Sequence, residues 1–180
     1  METLTLLPHS DHPPVAVTGV AASVIGLDDH WLRIRWRVES ASALVVPPFA
    51  GKGRADGLWQ TTCFELFLRR PDTAAYCEVN LSPSERWASY AFDDYRQGMT
   101  DHRMPRDCDC TLRRGGNLAI FDASIPLGSL PPLPWQFGLS AVIEEEGGQR
   151  SYWALRHPPG KADFHHAACF AARLAAPDAA

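Results

Sequence analysis

In the stretch LWQTTCFELFLRRPDTAAYCEVNLSPSERWASYAF, residues 58–92, Glu65, Glu78 and Asn80 fall inside runs that are otherwise apolar. Two carboxylates and an amide can accept and donate hydrogen bonds to a polyhydroxylated ligand. Two carboxylates held close together can also serve as acid and nucleophile in glycoside hydrolysis. Either chemistry requires local structure that gathers the three side chains on one surface.

Strand alternation does this. Successive side chains of a strand point to opposite faces. In the first run Phe64, Leu66 and Leu68 share one face, and Cys63, Glu65 and Phe67 share the other. In the second, Cys77, Val79 and Leu81 form the apolar set, and Tyr76, Glu78, Asn80 and Ser82 the polar set. With residues 70–75 as the turn, Phe67 pairs with Glu78 and Glu65 with Asn80, and the two apolar sets coincide as a buried face requires. Glu65 and Glu78 then become diagonal neighbours. With residues 82–85 as the next turn, a third strand sets Trp87 opposite Asn80 on the polar face. An aromatic ring beside oriented polar groups suits a sugar, whose C–H groups pack on the ring while its hydroxyls bond. A sheet with one wet face shows the same alternation, so plain solvent exposure stays open as a reading.

Other side chains could rim such a surface. Trp59 precedes the first run, and Trp153 and His157 lie at the end of the last hairpin. The bulky neighbours Tyr152 and Leu155 favour a core position for Trp153. The candidate ligand-binding set is therefore Glu65, Glu78, Asn80, Trp87, Trp59, Trp153 and His157, with no catalytic residue, metal ligand or cofactor assigned. Asp163, His165 and His166 read as a capping arrangement rather than a metal site. Cys108 and Cys110 lack a second ligand pair, and no nucleophile-elbow, phosphate-loop or HExxH motif is present. Arg33, Arg35 and Arg37 share a strand face that could hold an anion or pair with acids on the next strand.

The elements that must position these residues are mostly strands. Alternation predicts them over residues 16–25, 31–38, 62–69, 75–82, 86–92, 109–114 and 117–124, with a short one at 44–46. A last hairpin follows within 135–156, and a short C-terminal helix over 163–174. About nine strands with little helix predict an all-β fold, an antiparallel β-sandwich, with a β-barrel as the alternative. A chain of 180 residues suits one domain. The expected layout is a lead-in at 1–14, a domain at 15–172 and a tail at 173–180. Five cysteines without a CxxC pair do not indicate a disulfide framework. A net charge of −4 gives no support to nucleic-acid or anionic-membrane partners. The N-terminus lacks the basic start and long apolar centre of a secretory signal, and no run is long enough to span a bilayer, so a cytoplasmic location is expected.

The segments LWQTTCFELFL, YCEVNLSPSERWASYAFDDYRQGM and SYWALRHPPGKADFHHAACF resemble bacterial DOMON-like proteins, relatives of the family 9 carbohydrate-binding modules, over residues 15–172. The resemblance implies an immunoglobulin-like β-sandwich acting as a non-catalytic binding module for a small molecule, a saccharide or sugar derivative. The subgroup includes members joined to an enzyme of peptidoglycan-precursor synthesis, which points to a cell-wall sugar. It also sets Glu65, Glu78, Asn80 and Trp87 in the region where sugar-binding relatives carry acidic, amide and aromatic residues. The chain departs from those relatives in being solitary and in lacking a dense acidic loop resembling a calcium site. Haem, bound by some relatives, would need an axial pair, and Met99, His102 and Met104 lie in a polar connector. Two alternatives remain: a glycoside hydrolase using Glu65 and Glu78, and an accessory domain whose exposed aromatics meet a protein partner.

Overall fold

The computed structural model describes residues 2–176. Its strands are β1 (Leu4–Pro8), β2 (Gly19–Leu27), β3 (Trp31–Glu39), β4 (Gly53–Arg54), β5 (Cys63–Arg69), β6 (Tyr76–Leu81) and β7 (Arg86–Phe92). They continue with β8 (Thr100–Asp101), β9 (Asp109–Gly115), β10 (Leu118–Pro126), β11 (Trp135–Glu144), β12 (Arg150–Ala154) and β13 (Ala172–Leu174). In β3 the alternation is complete: Leu32, Ile34, Trp36 and Val38 are buried while Arg33, Arg35 and Arg37 point outward.

Eleven strands form one continuous path in the order β4-β7-β6-β5-β11-β12-β1-β2-β3-β10-β9, with β8 added to β7 and β13 to β11. Among the described pairings only β4 with β7 is parallel. The result is a single mixed sheet curled into a half-barrel, which corrects the expected nine-strand antiparallel, immunoglobulin-like sandwich. The physical reason lies in β1. Its first part, Leu4 to Leu6, pairs with β2, and its last two residues, Leu7 and Pro8, pair with β12. One short strand thereby joins what would otherwise be two sheets. The expected lead-in thus contains a seam of the fold, and Leu6 is buried.

The curl brings the two arms face to face. Phe64 of β5 stacks on Phe121 of β10 at 4.4 Å between ring centroids and 15° between planes, and Trp36 of β3 packs against both. These aromatic contacts sit among fully buried Leu and Ile side chains, so burial of apolar area is the main stabilising force here.

Glu145 ties the segment that leads into β2 to the end of β11. It is fully buried after β11, and its carboxyl oxygens accept from three successive backbone N–H groups, those of Val15, Ala16 and Val17, at 2.7, 2.6 and 2.9 Å. Three oriented N–H groups make a nest that substitutes for water around the carboxyl.

The expected C-terminal helix does not form. The stretch carries only a 3-10 turn at Ala167–Cys169, capped by the His166 side chain accepting from Ala168 N, and then becomes β13. β12 covers only Ser140 to Glu144 of β11, so the open edge at Trp135 to Phe137 is completed by β13 instead. The chain reaches that edge by crossing the sheet at Gly138, where a Cβ would lie 2.4 Å from the Cys169 carbonyl oxygen. Of the expected tail, residues 173 and 174 belong to β13, and residues 177–180 lie outside the described residues.

Removing the Glu145 carboxyl leaves three N–H donors without partners, the one of Val17 buried and those of Val15 and Ala16 partly buried. Glu145→Ala is expected to cost about 3 kcal/mol of unfolding free energy, measured by urea denaturation with unchanged slope. A loss below about 0.5 kcal/mol, the usual range for exposed sites, would mean the nest does not hold residues 15–17 in place.

Candidate functional site

β5 and β6 pair in the register that alternation predicts: Phe67 opposite Glu78, and Glu65 opposite Asn80. β7 then departs from expectation. Ser82 N donates to Arg86 O, so the loop between them has three residues, not four, and Glu85 takes the left-handed conformation at φ 68° that closes it. Its buried hydroxyls support the turn, with Ser84 N donating to Ser82 Oγ at 3.1 Å. One residue fewer in the loop reverses the parity of the whole strand. Trp87 faces Leu81 and enters the apolar core, where its Nε1 donates to Asp107 at 3.0 Å. Tyr90 takes the place opposite Glu78.

The polar face lies in a cleft of ≈ 1380 Å³. Glu65, Glu78, Phe67, Tyr90 and Phe92 from the sheet line it, as do Val142 and Tyr152 from β11 and β12. One wall is the 3-10 turn at Leu58–Gln60, which carries Trp59, 48% exposed. The opposite wall is the segment through Phe164 and His165. The His165 ring stands edge-on to Phe67 and Phe92, 5.1 Å from each. Tyr76 Oη accepts from Arg96 N at 3.2 Å, which leaves its own proton for His165 Nδ1 at 2.8 Å. Asp163 latches this wall: it accepts from His165 N, from the Arg96 guanidinium at 2.8 Å and from the Tyr95 hydroxyl. The expected cap is therefore present, but it orients a cleft residue instead of starting a helix.

Among the sequence candidates, Glu65, Glu78 and Trp59 line the cleft. Asn80 lies beneath it, 1% exposed, its Nδ2 donating to Glu78 Oε1 at 2.8 Å. Trp87 and Trp153 are core residues, not cleft residues, because their strand parity points them at the apolar interior. His157 sits outside the lining, behind Phe164, with Nε2 bonded to the Leu7 carbonyl at 2.8 Å. The Arg33, Arg35 and Arg37 face is on the outside of the other arm, ion-paired to Asp28, Asp122 and Glu39. Tyr90, Phe92, Arg96 and Tyr152 also line the cleft and are not among the sequence candidates. Tyr90 and Phe92 were legible only through the length of the turn before β7. Among the described residues no group of three or more His, Cys, Asp or Glu side chains is placed to hold a metal ion.

Burial sets the electrostatics. It drives the Glu65 carboxyl well above the ordinary carboxylate range, Glu78 adds to the rise, and the Ser140 hydroxyl, at 3.3 Å, opposes it. Burial also raises Glu78 to about 7, against the pull of Asn80 and Arg96. His165 is lowered to about 4 by burial and by Arg96, and is neutral at physiological pH. Its Nε2 is 3.7 Å from Glu78 Oε2, too far for a hydrogen bond. On the far side, burial and the Asp56 carboxylate raise the Tyr90 hydroxyl, which donates to Asp56 while Arg54 bridges Asp56 and Asp101.

No protein-family model matches this chain, and no curated protein matches it. Solved structures do. A Bacteroides uniformis protein provisionally assigned to carbohydrate binding aligns over 93% of this chain and 83% of its own, with TM-score 0.66 and 12% identity. A family 9 carbohydrate-binding module from Caldicellulosiruptor kristjanssonii, solved with cellotriose, aligns over 88% of this chain and 74% of its own, with TM-score 0.54 and 15% identity. Likeness at these identities is likeness of fold.

The raised Glu78 has a consequence for stability. Between its ordinary 4.5 and about 7 the folded chain holds a proton that the unfolded chain releases, so this group destabilises the fold increasingly as pH rises through that window. His165 acts in the opposite sense, destabilising as pH falls from 6.5 towards about 4. Glu78→Gln is therefore expected to gain stability relative to the parent between pH 5 and pH 8, by about 2–3 kcal/mol. Denaturant titrations at the two pH values check this, and an offset independent of pH would contradict the assignment.

Proposed function

We propose that this chain is a non-catalytic carbohydrate-binding module and that its saccharide lies in the cleft between the Trp59 turn and the His165 segment. One observation carries the reading: a wide cleft with aromatic side chains on three sides and hydrogen-bonding carboxyl groups at its floor. A cavity of ≈ 1380 Å³ exceeds what a single small molecule needs and suits more than one sugar ring. Trp59, half exposed at the entrance, offers a ring face for stacking. Glu65 and Glu78 supply directional hydrogen bonds, with Asn80 holding Glu78 in place. The fold it shares with a module solved with cellotriose agrees with this use. Hydrolysis by the same two carboxyls is disfavoured, because a retaining mechanism needs one of them ionised as nucleophile and burial raises both.

Calorimetric titration with cellotriose, glucose and cell-wall oligosaccharides tests the proposal. At least one is expected to bind, and Trp59→Ala to weaken that ligand about tenfold, the equivalent of 1.4 kcal/mol. Trp59→Ala should leave the melting temperature nearly unchanged, since the side chain lies at the surface. Unaltered affinity in the variant, or no heat with any saccharide, would refute the assignment.

A further inference from the structure

We infer that His9 and His157 form an acid-sensitive clasp: as neutral rings they hold two segments that line the cleft, and once protonated they let them go, so that the saccharide is retained near neutral pH and released in acid. The release rests on the saccharide reading above; the clasp itself does not. The first observation is what the two rings hold. His9, 3% exposed just after β1, donates from Nε2 to the Gly160 carbonyl at 2.8 Å and accepts at Nδ1 from Asp11 N at 3.2 Å. Gly160 leads into Lys161 to His165, which line the cleft, as do Asp11 and His12. His157 donates from Nε2 to the Leu7 carbonyl at 2.8 Å and ties the start of the same segment to β1. Residues 157–165 form neither helix nor strand, and among the described residues no backbone hydrogen bond joins them to another part of the fold. Side chains therefore keep this segment in place.

The second observation is that both rings are bonded as only the neutral form allows. A carbonyl oxygen can only accept, so each Nε2 carries the proton and each Nδ1 is a bare lone pair. A second proton on His9 would set N–H against the Asp11 N–H. A second proton on His157 would sit at an Nδ1 that is buried without a partner. The two rings stand edge-on with centroids 4.9 Å apart, so two imidazolium charges would also repel each other.

The third observation is the lack of a compensating charge. Among the described residues neither ring pairs with a carboxylate, and the Asp11 carboxyl accepts from the Ser10 hydroxyl instead. The other rings that face the pair are His12, 5.8 Å from His9, and Phe164, 6.3 Å from His157. Arg156 and Lys161, in the clasped segment, add positive charge. Burial, with His9 adding to it, holds His157 below its ordinary 6.5 against the pull of the Leu7 carbonyl. The closed wall thus refuses a proton that the released segment accepts, and opening becomes easier as pH falls below 6.5. At the far end of the segment His165 faces Glu78, Tyr76, Arg96 and Asp163. It stays neutral down to about 4 and is not the trigger, and Glu78, protonated below about 7, offers the segment no countercharge in acid.

Hydrogen exchange of the full chain at pH 7.5 and pH 5, corrected for the intrinsic rates, tests the clasp without any ligand. Residues 9–12 and 157–165 are expected to lose protection about tenfold in acid, while β3 and β5 keep theirs. His157→Gln keeps an N–H for the Leu7 carbonyl but cannot titrate, and should hold the protection of these residues nearly constant between the two pH values; His9→Gln is the second variant. Calorimetric titration with cellotriose, or with whichever of glucose and the cell-wall oligosaccharides binds tightest, is expected to show affinity about tenfold weaker at pH 5 than at pH 7.5. That ratio should shrink to about twofold or less in His157→Gln. It is read within each variant, so a general weakening does not mimic the effect, and the titrations of Glu78 and His165 are common to both chains. Protection that does not change with pH, or that falls equally in the parent and both variants, would overturn the clasp and leave the saccharide reading standing. Protection lost in acid with affinity unchanged would overturn release. No heat with any saccharide at pH 7.5 would overturn the saccharide reading and release with it, while acid-induced exchange abolished by His157→Gln would still establish the clasp.

Discussion

A strand gives each side chain a choice of two faces, and the turn before it makes the choice for all of them at once. In this protein the three-residue loop closed by Ser82 and Arg86 makes that choice for β7. It sends Trp87 inward to the core and presents Tyr90 and Phe92 to the cleft. With the opposite parity, an indole would stand beside Asn80, and two smaller aromatics would press on an apolar interior already filled by Phe64, Phe121 and Trp36. The presence of Tyr90 beside Glu78 and of Phe92 against His165 follows from the conformation of Glu85. That residue occupies a left-handed position that glycine usually takes.

The floor is electrostatically expensive. Two carboxyls are taken out of water with one amide and one hydroxyl as partners, and burial outweighs both. The aromatic ring of neighbours that removes water from Glu78 also removes it from His165, so a charge that could have neutralised the acid is suppressed. Arg96 is the strongest cation near the site, yet it serves the wall by holding Asp163 and Tyr76 together. Such an arrangement stores instability at the point where a ligand would arrive, a pattern common to binding sites.

Much of this was legible in the residues. Alternation in WLRIRWRV and across CFELFLR and YCEVNL predicts β3, β5 and β6, the register of the last two, and the gathering of Glu65 and Glu78 on one face. Other features had no such signal. Glu85 is not a glycine, so SPSE does not announce a three-residue loop. LTLLP is too short and too close to a proline-rich run to declare itself a strand, and it acts by bridging two neighbours instead of extending one pattern. Within Glu144, Glu145 and Glu146 nothing local distinguishes the buried middle member, because its partners lie 128 to 130 residues away. The C-terminal stretch has alanines suited to a helix, but an open edge on β11 gives it a better use.

The crossing at Gly138 ties the cleft to the order in which the chain is made. The wall opposite Trp59 comes from residues close to the C-terminus, and the hydrogen bond from Tyr76 to His165 spans 89 positions. Closing so large a loop carries an entropic cost that only completed packing recovers. While the last stretch is still unmade, Phe67, Tyr76 and Phe92 would stand uncovered beside two carboxyls. During synthesis the cleft is thus closed only once residues 163–174 are made, and a chain cut short before Gly138 is crossed would present a sticky aromatic sheet instead of a cleft.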